Sequence, residues 1–417
     1  MRVAICVSLP LILPAPAEAY GVLTHHQLID QAWDKLIVPI LKYHFPSLTP
    51  EQLKEAHAYA YGGCVIQDFG YYPLANGFIS DLLHYVRSGD FVQSLFLHAR
   101  TPNEFAFAIG ALSHFTGDSV GHSQATNPSV ALAFPKLNAK YGPAVNYAQG
   151  THEHSQVEWA FDANQAAKLR LAPSRYLAEI GLKVPAEQLS AAFFETYGIP
   201  LRELLSSRRP AMKTYRFGAR DFLPTLTYAQ ALLHHKQFPD DTPGPEIDRY
   251  QENTAQLGRE AGWEAYRTKP GIRIHLLAGV IAILPKIGML QMLAVKNPTV
   301  QTEELYIRSV NLSVTALEIA LRRLLGPGRD AGLVDRDLDT GAPVVPGGYP
   351  LTDVTYAKLL ARVTRVPTDS ISPGLKQDIL NYYSDPTAPI TTKKKAKEWA
   401  AVQQQLHVLS GMTASAN

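Results

Sequence analysis

Residues 104–122 read Glu104-Phe105-Ala106-Phe107-Ala108-Ile109-Gly110-Ala111-Leu112-Ser113-His114-Phe115-Thr116-Gly117-Asp118-Ser119-Val120-Gly121-His122. The run is apolar almost throughout and contains no proline, which predicts one long buried helix. His114, Asp118 and His122 lie at i, i+4 and i+8, so a helix would carry all three along one face. Burying two imidazoles and a carboxylate there without partners would cost several kcal/mol. Binding a metal removes that cost.

Further along, His154 and Glu158 repeat the i, i+4 spacing within Thr151–Leu169, a second helical segment that begins polar and becomes alanine-rich. A single His-x3-Asp is more often a salt bridge than a metal site. Here one pair extends to a third ligand type, a second pair follows, and ten of the fourteen histidines fall within the first 154 residues. Together they favour metal. Imidazole and carboxylate donors without thiolate suit a hydrolytic zinc centre.

Helical periodicity continues on both sides. Leu28, Ile29, Ala32, Trp33 and Leu36 recur at helical spacing after Thr24. Thr49-Pro50-Glu51 reads as a helix start, with Thr49 as N-cap and Pro50 at the first helical position. Alternating strands are hard to find in the first 240 residues, so the fold is expected to be all-α. Turn formers from Pro239 to Pro245 suggest a boundary, giving a catalytic region over 20–240 and a largely helical extension over 241–417. In that extension Gln251–Thr268 and Thr302–Leu325 read as helices, Gly326–Pro350 as loop, and two weaker helical segments come after it. Lys393–Lys397 reads as a solvated face. Ile272–Val295 is the most apolar stretch outside the N-terminus, but His275, Pro285 and Lys286 interrupt it. A buried core hairpin is expected there rather than a span, which needs about 20 uninterrupted apolar residues; a surface dipping into lipid is the other option.

The N-terminus reads as a signal peptide over residues 1–19. Arg2 precedes the apolar Val3–Leu13, and Ala17-Glu18-Ala19 fits the small-x-small cleavage rule. The protein is therefore expected to be exported, to periplasm or medium. Cleavage would make Tyr20 the first residue and remove Cys6, leaving Cys64 as a lone thiol. An exported chain without disulfides depends on its core or on metal for stability. With 46% hydrophobic and 18% charged residues and a net charge of +2, the composition is that of a globular protein and gives no argument for nucleic acid as a partner.

The segment His114-Phe115-Thr116-Gly117-Asp118-Ser119-Val120-Gly121-His122 resembles the signature of the bacterial zinc-dependent phospholipases C. Tyr20-Gly21-Val22-Leu23-Thr24-His25 is similar to the start of the related single-strand nucleases, Trp-Gly-x-x-x-His. The resemblance covers about residues 20–240. It implies three zinc ions. Tyr20, through its amino group and carbonyl, and His25 would hold one together with a bridging Asp118. Asp68, His84, His114 and again Asp118 would hold its neighbour, and His122, His154 and Glu158 the third. Asp81 is a competing carboxylate near His84, and His152 a spare imidazole; His26, His44, His57 and His98 match no ligand position and are expected at the surface or behind the ligands. Two departures stand out: Tyr20 replaces the usual Trp, and Asp118 and His122 are closer in sequence than in the family, without its Gln-Pro.

The implied reaction is hydrolysis of a phospholipid phosphodiester at a membrane surface, giving diacylglycerol and a phosphorylated headgroup. Asp68 would assist as general base while ligating zinc. The runner-up is a single-strand nuclease or nucleotidase on the same core, for which Tyr71, Tyr72, Phe115 and Tyr147 could stack bases; the small net charge weighs against it. A zinc-stapled structural module is the third reading. Only three protein ligands are expected at the third ion, which leaves room for water and favours catalysis.

Overall fold

The computed structural model describes residues 20–267, 272–283, 294–326, 329–365 and 371–412. Its elements are helices. In order they are α1 (Val22–Ala32), α2 (Val38–His44), α3 (Pro50–Gly63), α4 (Gly77–Tyr85), α5 (Ser88–His98), α6 (Pro102–Gly121), α7 (Asn127–Ala133), α8 (Pro135–Tyr141), α9 (Thr151–Ala167) and α10 (Ser174–Ile180). There follow α11 (Ala186–Tyr197), α12 (Arg208–Phe217), α13 (Leu223–His234), α14 (Pro245–Glu260), α15 (Ile272–Ile283), α16 (Val300–Arg323), α17 (Pro350–Val363), α18 (Pro373–Tyr382) and α19 (Ala396–Gly411). Among the described residues the only strand-like pairing is an isolated bridge between Arg336 and Pro343. The all-α expectation holds.

Local chemistry explains where the central helices begin. Thr49 accepts a hydrogen bond from the Gln52 amide and the Gln52 side chain accepts one from the Thr49 amide, with Pro50 at the first helical position. The same device starts α6, where Thr101 and Glu104 reciprocate across Pro102. The hydrophobic run from Glu104 thus sits one turn inside its helix. α6 ends at Gly121 in a single π-helical turn, His122–Thr126, from which α7 continues.

α6 lies at the centre, packed on α3 and α16. Its approach to α3 is a backbone contact. A Cβ on Gly110 would stand 2.2 Å from the Ala60 carbonyl oxygen, and one on Gly63 would stand 2.1 Å from that of Phe107. Only glycine fits at this crossing. One large core joins α3, α5, α6, α11 and α13, and a smaller cluster around Tyr20, Leu28, Val145, Phe161 and Tyr306 seals the start of α1.

The apolar stretch from Ile272 departs from expectation. Within α15, Ala278 and Ile281 are buried against the core while Leu276, Val280 and Ile283 are exposed, so the segment is half-covered rather than buried. No described helix is long and apolar enough to cross a membrane. Most of the remainder, 284–293, lies outside the described residues, as do residues 1–19 of the expected signal peptide.

Candidate metal centre

Five elements converge. α1 carries His25, the 3₁₀ turn Gln67–Tyr71 carries Asp68, the last turn of α4 carries His84, α6 carries His114 and Asp118 with His122 at its cap, and α9 carries His154 and Glu158. Three groups result, all buried: His25 with His114 and Asp118; Asp68 with His84 and His114; His122 with His154 and Glu158. α6 therefore supplies every group.

Asp118 faces two ways. Its Oδ1 lies 3.3 Å from His25 Nε2, and its Oδ2 lies 3.1 Å from His114 Nε2 and 3.6 Å from His84 Nε2. Asp68 Oδ1 is 3.3 Å from His84 Nε2. In the third group Glu158 Oε1 is 3.5 Å from His154 Nδ1 and 3.8 Å from His122 Nε2. Donors about 2.0–2.1 Å from a tetrahedral zinc stand roughly 3.3 Å apart. Apart from the 3.1 Å contact of His114 with Asp118, the spacings fit ligand atoms around a cation better than direct hydrogen bonds, whose usual range is about 2.7–3.2 Å.

The remaining hydrogen bonds decide which ring nitrogens face inward. Nδ1 of His84 donates to the Ser80 carbonyl (2.8 Å), Nδ1 of His114 to that of Cys64 (3.0 Å), and Nδ1 of His122 to that of Leu338 (2.8 Å). His154 is turned over, and its Nε2 donates to the Val145 carbonyl (2.7 Å). Each ring is thereby oriented with its outer nitrogen donating to the backbone and its other nitrogen pointing into its group. Both oxygens of Asp68 and Asp118, Nε2 of His122, Nδ1 of His154 and Oε1 of Glu158 are buried without a hydrogen-bond partner. Buried polar atoms are normally satisfied. These fit zinc.

The electrostatics agree. Burial pushes His84 and His114 down, but the Asp118 and Asp68 carboxylates outweigh it, holding His84 well above the ordinary imidazole range and His114 above it too. Burial works the other way on Asp118, yet His114, His25 and His84 hold it well below the usual carboxylate range. In the third group burial brings His122 to about 4 and His154 to about 3, so both rings are neutral and ready to ligate. Burial and the neighbouring Asp118 raise Glu158 well above its ordinary value, as expected of a carboxylate awaiting a cation.

The motif glycines have steric roles. A Cβ on Gly117 would press on Leu28 and come into ordinary contact with the His25 ring, and one on Gly121 would fall 2.6 Å from the Tyr20 ring. Gly117 and Gly121 therefore seat α1 and Tyr20 on α6, and His25 stacks on His114 with ring centroids 4.4 Å apart. Tyr20 is fully buried, its hydroxyl held by Ser309 (2.7 Å) and Ser313 (3.2 Å). Its side chain is thus tied into α16. Asp162 accepts from the Leu23 and Thr24 amides at 2.9 and 3.1 Å and so caps the start of α1.

Other expectations sort cleanly. Asp81 pairs with Lys358 at 3.2 Å, which leaves Asp68 as the carboxylate that joins the group. His152 is exposed. His26 and His57 are buried beside Tyr61; His57 contacts Asp30 at 3.1 Å and stacks on Trp33. Tyr71 and Tyr147 stand half-buried beside His84 and His154, with centroids 6.0 and 5.9 Å away. Tyr72 and Phe115 are core residues. The Leu338 carbonyl and Asp162 escaped sequence reasoning. The alternating carboxylates of Asp335-Arg336-Asp337-Leu338-Asp339 were the available signal for the former.

Residues 24–207 match the family model described as zinc dependent phospholipase C. Comparison with curated proteins and with solved structures gives no match.

Proposed function

We propose that this chain, whose residues 24–207 match the zinc-dependent phospholipase C family, is a hydrolase that cleaves the headgroup phosphodiester of membrane phospholipids to diacylglycerol and a phosphorylated headgroup, using three zinc ions. The observation that carries this reading is the set of buried, unpartnered ligand atoms in three groups. His25 and Asp118 would hold one ion, completed by the amino group and carbonyl of Tyr20 once the signal peptide is removed on export. Asp68, His84, His114 and the other oxygen of Asp118 would hold a second. His122, His154 and Glu158 would hold a third with a position left open.

When bound, zinc supplies positive charge for the phosphate oxygens and acidifies water. The chain's own residues do the rest. Asp118 would be shared between the first two ions, Asp68 would accept a proton from the attacking water, and the half-buried Tyr71 and Tyr147 stand beside His84 and His154. The hydrophobic surroundings strengthen each charge interaction.

Asp118→Asn tests the assignment. The variant is expected to lose zinc and to fall more than about 100-fold in turnover of phosphatidylcholine in mixed micelles. Full zinc content with full turnover would sink it. Single-stranded DNA, assayed in parallel, separates a nuclease on the same core from a phospholipase.

A further inference from the structure

The family match stops at residue 207, yet the metal groups are closed by a turn much further along the chain. Asp337 organises that turn. Its Oδ1 accepts from the Thr340 amide (2.8 Å), its Oδ2 from the Thr340 hydroxyl (2.6 Å), and its carbonyl from the Gly341 amide (2.9 Å). Gly341 has φ +70°, and a Cβ there would lie 2.1 Å from the carbonyl oxygen of Ser119. The turn is therefore pressed against α6 between Asp118 and His122.

Its middle residues reach both sides of the centre. The Leu338 amide donates to the His84 carbonyl at 3.0 Å, while the Leu338 carbonyl accepts from His122 Nδ1 at 2.8 Å. The Asp339 carbonyl accepts from the Asn127 side chain (2.8 Å), and its Oδ2 accepts from the hydroxyls of Tyr85 (3.0 Å) and Tyr349. Leu338 and Asp339 are buried. One residue thus ties the end of α4, which carries a ligand of the paired groups, to the ring of a ligand in the third.

We infer that the Asp337–Gly341 turn is a positioning device for the metal centre, holding His122 in the tautomer and orientation that ligation of its ion requires. The inference rests on the zinc reading above and gives residues beyond the family match a part in the site. Without the Leu338 carbonyl, His122 Nδ1 would be a buried donor with no acceptor. The ring would gain by turning or by moving its proton to Nε2, the ligating nitrogen. Loss of such an orienting partner typically weakens metal binding about 10–100-fold.

The test uses the full-length processed protein, with zinc bound per chain and its affinity read by competition against a chromophoric chelator. Gly341→Ala forces the turn off Ser119. It is expected to weaken one ion about 10–100-fold and leave two unchanged. His122→Ala should weaken the same ion, and the double variant should be no worse than His122→Ala alone. Asp337→Ala loosens the turn without a clash and should act like Gly341→Ala, with Asp337→Asn restoring affinity through its retained acceptor; this pair carries the test if Gly341→Ala does not fold. A uniform loss of all ions, or a lower melting temperature with zinc affinities intact, would make the turn merely structural and overturn the inference. An unmutated chain that binds no zinc would overturn the zinc reading and this inference with it, and is recognisable because it needs no mutation.

Discussion

At the scale of single residues, the chemistry was legible where ligand types recur at helical spacing and obscure where the partner is a peptide group. His114, Asp118, His154 and Glu158 declare themselves at i, i+4. Asp68 and His84 needed the family resemblance, because a 3₁₀ turn and a helix end have no shared period. The carbonyls of Ser80, Cys64, Val145 and Leu338 carry no residue-type signal at all. Tyr20 illustrates a role split between side chain and backbone. Its hydroxyl is anchored by Ser309 and Ser313, so Tyr20→Phe should cost about 1 kcal/mol of stability and leave zinc content unchanged. Retaining extra residues before Tyr20 converts its amine to an amide and should cost one ion. Mass spectrometry of the intact protein with metal analysis reads both. Equal zinc in the extended and processed forms would remove Tyr20 from the ligand set.

At the scale of elements, α6 is the frame on which the centre hangs, and its crossing with α3 sets one of the ring orientations. His114 sits one turn along from Gly110, and the carbonyl it donates to, Cys64, comes directly after Gly63. In sequence both glycines look like weak points in helices. Their purpose appears only when two backbones meet. Gly110→Ala must separate α3 from α6, moving the Cys64 carbonyl away from His114. The expected result is a loss of about 1–3 kcal/mol from overpacking, together with weaker zinc at the paired groups. Thermal unfolding with and without zinc measures the two effects. A Gly110→Ala protein that melts normally and keeps its zinc would mean the crossing has slack. The half-exposed α15 shows the opposite failing of sequence: an apolar run marks burial but does not say how much of the helix circumference is covered.

At the scale of the molecule, the boundary expected near residue 240 does not separate the metal groups from the C-terminal residues. α16 packs on α6 and holds Tyr20, Glu303 at its start pairs with Lys168 at the end of α9, and the Asp335–Gly341 segment reaches α4, α5 and α6. Such contacts join residues hundreds of positions apart, which no local pattern encodes. Asp335 accepts from the Gly89 and Asp90 amides at the start of α5, while burial and the nearby Asp90 raise it to about 6. A carboxyl raised above its unfolded value favours the fold fully below pH ~4, and that contribution is lost as pH rises through about 6. Asp335→Asn keeps an acceptor and removes the charge. Its melting temperature should match the native protein at pH ~4 and exceed it by ~1–3 °C at pH ~8. A gap that closes with rising pH would show the charge to be favourable there.

Because peptide carbonyls accept from the outer ring nitrogens of His84, His114, His122 and His154, the protein is a mould that outlasts its casting. Chelation should strip the ions while far-ultraviolet circular dichroism stays near its starting value, unlike small zinc domains that unfold on metal loss. The emptied protein could then be recast with cobalt or cadmium by dialysis alone, giving the colourless centre a visible or magnetic reporter without a refolding step.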